Sequence, residues 1–280
     1  MPAQGKTIII TGAAGGLGKT IAASYLTSGA NVAICDINPV RLEETSTEWT
    51  QKYDSSKFLT AKVNIAEEKQ VEEFFENVRQ RFGRVDVLVN NAGVMDKFDG
   101  AGTAELELWN RVIGVNLTGA FLCTKAAVNI FLSQAESQSQ SQAQGEGKGK
   151  GEGEGSGGII LSIGSVASIR GLNAGAAYVA SKHGLLGLMR NTAGTYGHKG
   201  ISAITFLMGA METNIMDSFQ NGYHEENMAN MMTKYPGFEP GVTNVKLEDV
   251  AKYCLFYSDP AIAQASNGSA VTINKNWPVM

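Results

Sequence analysis

The chain has 280 residues, is 43% apolar and 18% charged, and carries a formal net charge of -4. That balance suits a soluble globular protein with one large core or two small ones. It leaves no basic footprint for nucleic acid or for an anionic membrane surface, so neither is an expected partner.

Apolar, strand-like bursts run from Lys6 to Thr11, Asn31 to Asp36, Lys57 to Val63, Val85 to Asn90, Ile159 to Ile163 and Ile201 to Phe206, and a last Ala-Val-Thr-Ile ends at Ile273. Between them, helical periodicity covers about 17–28, 39–52, 67–82, 105–132 and 175–196. The alternation predicts an α/β fold, a doubly wound parallel sheet of about seven strands with helices on both faces. Such sheets take ligands outside the carboxyl ends of their strands, where strand order reverses. Motifs run from Gly12 to Ile273 with no linker that splits them, so one domain over 1–280 is expected. One stretch stands apart: from Gln134 to Gly158 the residues are mostly Gln, Ser, Ala, Glu, Lys and alternating Gly. It holds too little apolar surface to offset the entropy of ordering it, which predicts a disordered surface insertion at 134–158.

The run Thr11-Gly12-Ala13-Ala14-Gly15-Gly16-Leu17-Gly18 follows the first strand and opens the first helix. Glycines at 12, 16 and 18 allow a tight turn, close approach to a pyrophosphate and close packing of helix on strand. Asp36 closes the second strand, where a carboxylate can accept hydrogen bonds from the adenosine ribose hydroxyls and repel a 2'-phosphate, favouring NAD over NADP. The plainer role for Asp36 is a cap on the next helix. Lys19 and Arg41 are the cations that a phosphate could recruit.

Tyr178 and Lys182 stand one helical turn apart, on one face, with Ser165 thirteen positions upstream. A phenol working near neutrality must drop about three units from 10, or about 4 kcal/mol. An ammonium at about 4 Å in a partly screened site supplies on the order of 4 kcal/mol, so one lysine could suffice. Taken alone, the pair also fits a surface couple on an amphipathic helix.

With Asn90-Asn91-Ala92-Gly93 after the fourth strand and Asn116 in Val-Asn-Leu-Thr-Gly, these ordered motifs resemble the single-domain short-chain dehydrogenases/reductases, which have a Rossmann fold. The resemblance covers nearly the whole chain apart from the insertion. It implies hydride transfer between NAD(H) and a secondary alcohol or ketone, with Tyr178 exchanging the proton and Ser165 orienting the oxygen. Lys182 would bind the nicotinamide ribose and lower the tyrosine pKa, and Asn116 would hold a relay water. The implied cofactor contacts are Gly12, Gly16, Leu17, Gly18, Asp36, Asn64, Ile65, Asn91, Ala92, Gly93, Tyr178, Lys182, Gly209 and Thr213. Bland roles stay open for Ser165 as a turn residue, for Asn116 at a helix irregularity and for Asn90 as a sheet residue. Two departures stand out: Asn64 where the family commonly has aspartate, and Met208 where it has proline, which puts nicotinamide placement in question.

In such proteins the stretch from Gly209 to about Gly241 is a mobile substrate lid. Six methionines (208, 211, 216, 228, 231 and 232) fall here, which suits either an adaptable apolar pocket or ordinary helix packing. The substrate is therefore expected to be a small molecule, apolar and medium-sized. The family also implies a homodimer or homotetramer. A non-redox isomerase or cyclase, or a dinucleotide-binding regulator without turnover, are the alternative functions. Cys35, Cys123 and Cys254 are odd in number and no metal-ligand spacing is evident, so they read as buried apolar side chains in a reducing compartment. With no basic-then-apolar leader and no apolar run of about 18 residues, a cytoplasmic location is expected.

Overall fold

The segment Thr-Ile-Ile-Ile-Thr is buried along its whole length and forms β1 (Thr7–Thr11), because a strand covered on both faces has no need of a polar side. In the computed structural model, which describes residues 3–143, 157–219, 222–239 and 241–277, this strand lies near the centre of a single parallel sheet. The elements follow as α1 (Gly16–Thr27), β2 (Asn31–Asp36), α2 (Pro39–Lys52), β3 (Phe58–Lys62), α3 (Glu68–Phe82), β4 (Val87–Asn90), α4 (Leu106–Ile113) and α5 (Ala120–Ala143). They continue as β5 (Ile159–Ile163), α6 (Ala176–Tyr196), β6 (Ser202–Met208), α7 (Glu225–Lys234), α8 (Leu247–Phe256), α9 (Pro260–Ala265) and β7 (Ala270–Ile273). The strand order is β3-β2-β1-β4-β5-β6-β7, so the chain reverses its direction of growth between β1 and β4. Ile8 pairs with Val32 on one side and with Val87 on the other.

Strand side chains alternate between the two faces, and the core divides accordingly. Ile8 and Ile10 pack with Ile21 and Tyr25 of α1, Trp49 of α2 and Val250 of α8. Ile9 points the other way, into Phe74 and Phe75 of α3, Cys123 and Phe131 of α5, and Leu185 and Met189 of α6. All three cysteines are buried and free. Met208 and Met211 belong to the first of these clusters, so part of the methionine-rich stretch is ordinary packing.

The single helix expected over 105–132 is instead two helices joined by a π-helical turn at Gly114–Gly119. By length and composition, Leu106–Gln140 could cross a membrane, yet half of its most apolar stretch is buried inside the protein. Its apolar face lies against α3 and β4, which accounts for the composition.

The insertion expected to be disordered from Gln134 starts later, because residues 134–143 continue α5. Gln, Ala, Ser and Glu sustain a helix, and no glycine interrupts them before Gly145. Gln134 also anchors this end: its Oε1 accepts from the Val85 N–H at 2.8 Å and its Nε2 donates to the Val85 carbonyl at 2.9 Å. The rest of that expectation, 144–156, lies outside the described residues, and Gly157 and Gly158 lead into β5. Gln134→Ala should lower the unfolding free energy by about 1–2 kcal/mol, since both backbone groups of Val85 lose a partner. Urea denaturation checks this, with an unchanged midpoint as the contrary result.

Candidate active site

β1 delivers the glycine-rich turn to the carboxyl edge of the sheet. Gly12 has φ +62° and Gly16 φ +50°, a region that side chains rarely occupy. A Cβ on Gly12 would stand 2.7 Å from Ala92 Cα, and one on Gly18 would stand 2.6 Å from Asn91 Nδ2. The turn and the loop after β4 are stitched across the point of strand reversal. Thr11 Oγ1 accepts from the N–H groups of Asn91 and Ala92, both at 3.1 Å, while Asn91 Nδ2 donates to the carbonyls of Thr11 and Gly12, both at 2.9 Å. α1 begins at Gly15 with no side-chain cap and no acidic residue in its first turn. Its first N–H groups are therefore placed to receive an anion. Leu17 is buried in the core, so what it offers at the turn is backbone.

At the end of β2, Asp36 accepts from Ala14 N–H at 3.1 Å and from Asn38 N–H at 3.0 Å, while Asn38 itself caps α2. Asp36 thus lies against the glycine-rich turn and is not the helix cap. Lys19 is paired with Glu48 at 2.6 Å, and Arg41 with Asp217 at 2.7 Å. Asn64 Oδ1 accepts from Ala66 N–H at 3.1 Å in a local turn, and Ile65 is buried against Gly119, where a Cβ would meet it at 2.7 Å.

Beyond β5, Ser165 caps a 3-10 turn at Val166–Ser168, its Oγ accepting from Ala167 N–H at 3.1 Å. The same hydroxyl faces the phenol of Tyr178, which projects from the third position of α6, and acts to lower its pKa. One turn further on, Lys182 Nζ lies 5.5 Å from the centroid of the Tyr178 ring and donates to the Ile163 carbonyl at 2.8 Å. A Cβ on Gly93 would sit 3.6 Å from that ammonium and 3.5 Å from Asn116 Oδ1. The structure therefore brings Ser165, Tyr178, Lys182, Gly93 and Asn116 together.

Asn116 lies in the π-helical turn, and its amide serves the protein: Oδ1 accepts from Val94 N–H at 2.8 Å, and Nδ2 donates to Val94 O at 2.9 Å and Ser181 Oγ at 3.1 Å. Ser181 Oγ in turn donates to the Tyr178 carbonyl at 2.7 Å. Asn90 is buried and donates to Thr124 Oγ1 at 3.0 Å, tying β4 to α5. Thr213 and Asn214 reach the glycine-rich turn, where a Cβ on Gly16 would meet Asn214 Oδ1 at 3.0 Å and Thr213 Cβ at 3.6 Å. Gly209 instead packs under the chain leaving β7, with a hypothetical Cβ 2.7 Å from Asn274 Cα. Met208 is buried in register with Ile273 at the end of β6.

Burial pushes the Tyr178 phenol up to about 12, against a lowering hydrogen bond from Ser165, and Asp96 raises it further. The lysine does not offset this, because its ammonium is drawn to Ile163 O and is itself strongly desolvated. Burial pulls Lys182 down to about 8. Sequence reasoning also passed over Asp96 and Ser181. The one local hint for Asp96 was a catalytic helix opening on Gly175 with neither a capping side chain nor an acidic first turn.

Comparisons with known proteins identify the family. The family model for short chain dehydrogenases matches residues 6–142 and 150–224, breaking inside the glycine-rich stretch. The short chain dehydrogenase/reductase dpchG of Colletotrichum higginsianum is 39% identical over 274 residues, covering 98% of this chain and 94% of its own. The 3beta-hydroxysteroid dehydrogenase 2 of Eggerthella lenta is 30% identical, covering 98% and 95%. A 3-ketoacyl-(acyl-carrier-protein) reductase from Brucella melitensis, solved with NADH, superposes with a TM-score of 0.76 at 25% identity, covering 97% of this chain and 98% of that one. The chain belongs to the short-chain dehydrogenase/reductase family of oxidoreductases, enzymes with a Rossmann-like fold that bind nicotinamide dinucleotides.

A lysine whose folded pKa is depressed from 10.5 to about 8 costs stability progressively as pH falls from its unfolded value, and fully below its folded one. Lys182→Met removes that penalty. The stability of the variant relative to wild type should therefore rise by on the order of 3 kcal/mol between about pH 10.5 and pH 7. Denaturation midpoints across this window test it, and a pH-independent difference would contradict a desolvated ammonium.

Proposed function

We propose that the chain transfers hydride between NAD(H) and a secondary alcohol or ketone on an apolar, medium-sized small molecule. The observation that carries the reading is the meeting of Ser165, Tyr178 and Lys182 at the carboxyl edge, beside a glycine turn that any Cβ at 12 or 18 would fill. That turn, the uncapped start of α1 and the Asp36 carboxylate fit a dinucleotide: pyrophosphate on the helix N–H groups, adenosine ribose on Asp36. Asp36 would repel a 2'-phosphate, and the two nearby cations are already engaged by Glu48 and Asp217, which supports NAD over NADP.

Bound nicotinamide supplies or accepts the hydride at its C4. The chain's own part is the proton. The Tyr178 hydroxyl, kept protonated by burial, donates its proton to the carbonyl oxygen of a ketone as hydride arrives, and in the reverse direction the phenolate takes the proton of the alcohol. Ser165 Oγ, which faces the phenol, would hold the same oxygen. Lys182 is fixed by Ile163 O with donors left for a ribose hydroxyl. Thr213 and Asn214, at the glycine turn, would belong to the substrate lid, and apolar side chains around Tyr178, among them Val94, Leu108, Trp109 and Ile215, suit an apolar substrate. The names of the relatives point the same way, one a hydroxysteroid dehydrogenase and one crystallised with NADH. We assign a homodimer or homotetramer to this chain from its family, with the outer surfaces of α5 and α6 as the contact, and Phe121 is exposed on α5.

Incubation with NADH or NADPH and a panel of cyclic ketones, read by reduced-nicotinamide absorbance, should show turnover with NADH. Product formed without absorbance change would overturn the redox reading. Tyr178→Phe should lower kcat by about a hundredfold or more while NAD still binds, since only the proton donor is lost. Asp36→Ala should narrow the preference for NAD over NADP, and an unchanged ratio of kcat/KM values would remove Asp36 from that role.

A further inference from the structure

The most unusual buried charge in the described molecule outside the proton-transfer group is Asp96. It leaves the loop after β4 and is only 1% exposed. Its carboxylate accepts three backbone N–H groups: Phe98 at 3.1 Å in its own loop, and Gly175 at 3.0 Å and Tyr178 at 2.8 Å across the fold. The Asp99 carbonyl adds a fourth contact, accepting from Ala176 N–H at 2.8 Å. The first N–H groups of a helix have no partner within it, and α6 has none from its own sequence. This loop, about eighty residues upstream, therefore caps Gly175, Ala176 and Tyr178. Contact is close enough to dictate the residue at 175, where a Cβ would stand 2.7 Å from Asp96 Oδ2 and from the Asp99 backbone.

We propose that Asp96 is a positioning residue for the proton-transfer step: it clamps the backbone of Tyr178 itself, so that the hydroxyl is presented at a fixed place. The proposal rests on the reductase reading given above. The amide it holds belongs to the residue that carries the reacting oxygen, so any slackening is transmitted to the phenol without an intervening element. Misplacement by about 1 Å can cost about a hundredfold in rate.

The charged and titratable groups facing Tyr178 are few. Ser165 approaches from the turn after β5 and stabilises the phenolate, and Lys182 lies on the same helix face with its ammonium on Ile163 O. Asp96 comes from the loop after β4, with Asp99 behind it. α4 and the lid contribute apolar groups, Leu108, Trp109, Val112 and Ile215. Of these, Asp96 is the one whose charge opposes ionisation of the phenol, so removing it has a defined sign.

The test is Asp96→Asn, with Asp96→Ser as a second variant that retains an oxygen acceptor in a smaller side chain. Tyrosines carrying 13C at Cζ report phenol ionisation by NMR without turnover, and Tyr178→Phe identifies the resonance. In a folded variant the Tyr178 signal should start to titrate at lower pH than in wild type, whose signal stays constant to about pH 11. For ketone reduction, kcat should fall about tenfold or more while KM for NADH stays within about twofold, and the alkaline limb of the kcat profile should move to lower pH. A phenol titration that does not move, or an unchanged kcat in a folded variant, overturns the proposal. So does failure of both variants to fold, which assigns Asp96 to the fold alone. If wild type reduces no ketone, the enzymatic reading fails, and the NMR comparison still decides whether Asp96 governs the phenol.

Discussion

All seven strands run parallel, and this one constraint places everything else. A parallel strand needs a crossover to reach its neighbour, and the crossovers here cover both faces of the sheet with helices. No face is left for a ligand, so the chemistry falls to the edge where the carboxyl ends emerge. The glycine turn after β1, Asp36 at the end of β2, Gly93 after β4 and Ser165 after β5 all emerge there. Between β1 and β4 successive crossovers diverge, and the opening this creates is held to shape by Asn91, which donates two hydrogen bonds across it to Thr11.

The loop after β4 is the joint between two parts that must act together. Toward α6 it supplies Asp96 and Asp99 as the helix cap. Toward the lid, the Lys97 carbonyl accepts from His224 N–H at 2.8 Å and the Phe98 carbonyl from Asn227 Nδ2 at 2.8 Å. Phe98 stacks on Phe219 with centroids 5.6 Å apart. Phe98 also has φ +62°, a conformation an aromatic residue adopts only when its surroundings over-determine it. The contacts on both sides of the loop supply that determination. The 209–241 stretch and α6 are therefore both tied to the same four residues, 96–99.

Burial sets the electrostatic character of the site. A phenol, an ammonium and a carboxylate are each taken largely out of water within one small region, and each shifts toward its neutral form: Tyr178 up, Lys182 down, Asp96 up. Three N–H bonds hold Asp96 against that tendency, and Ser165 does the same in part for Tyr178. Sequence spacing correctly put Tyr178 and Lys182 on one face. Enclosure adds a desolvation cost to both groups that spacing alone does not reveal.

What the sequence by itself determined is whatever leaves a local period or a steric signature. Alternation of apolar bursts with helical stretches specified the parallel α/β sheet, the glycines at 12, 16 and 18 specified the turn, and the four-residue spacing of Tyr178 and Lys182 specified a shared face. Family resemblance added Asn116, whose amide the structure commits to Val94 and Ser181. Composition misled at 134–143, where residues poor in apolar surface still propagate a helix that Gln134 pins to Val85. Only the tertiary structure decided that Asp96 caps α6, that Asn91 binds the glycine turn, that Gly209 packs under the end of β7 and that Arg41 faces Asp217. Each of these contacts joins residues tens to well over a hundred positions apart, and such pairings leave no periodic trace in a chain because they exist only after the sheet has brought its edges together.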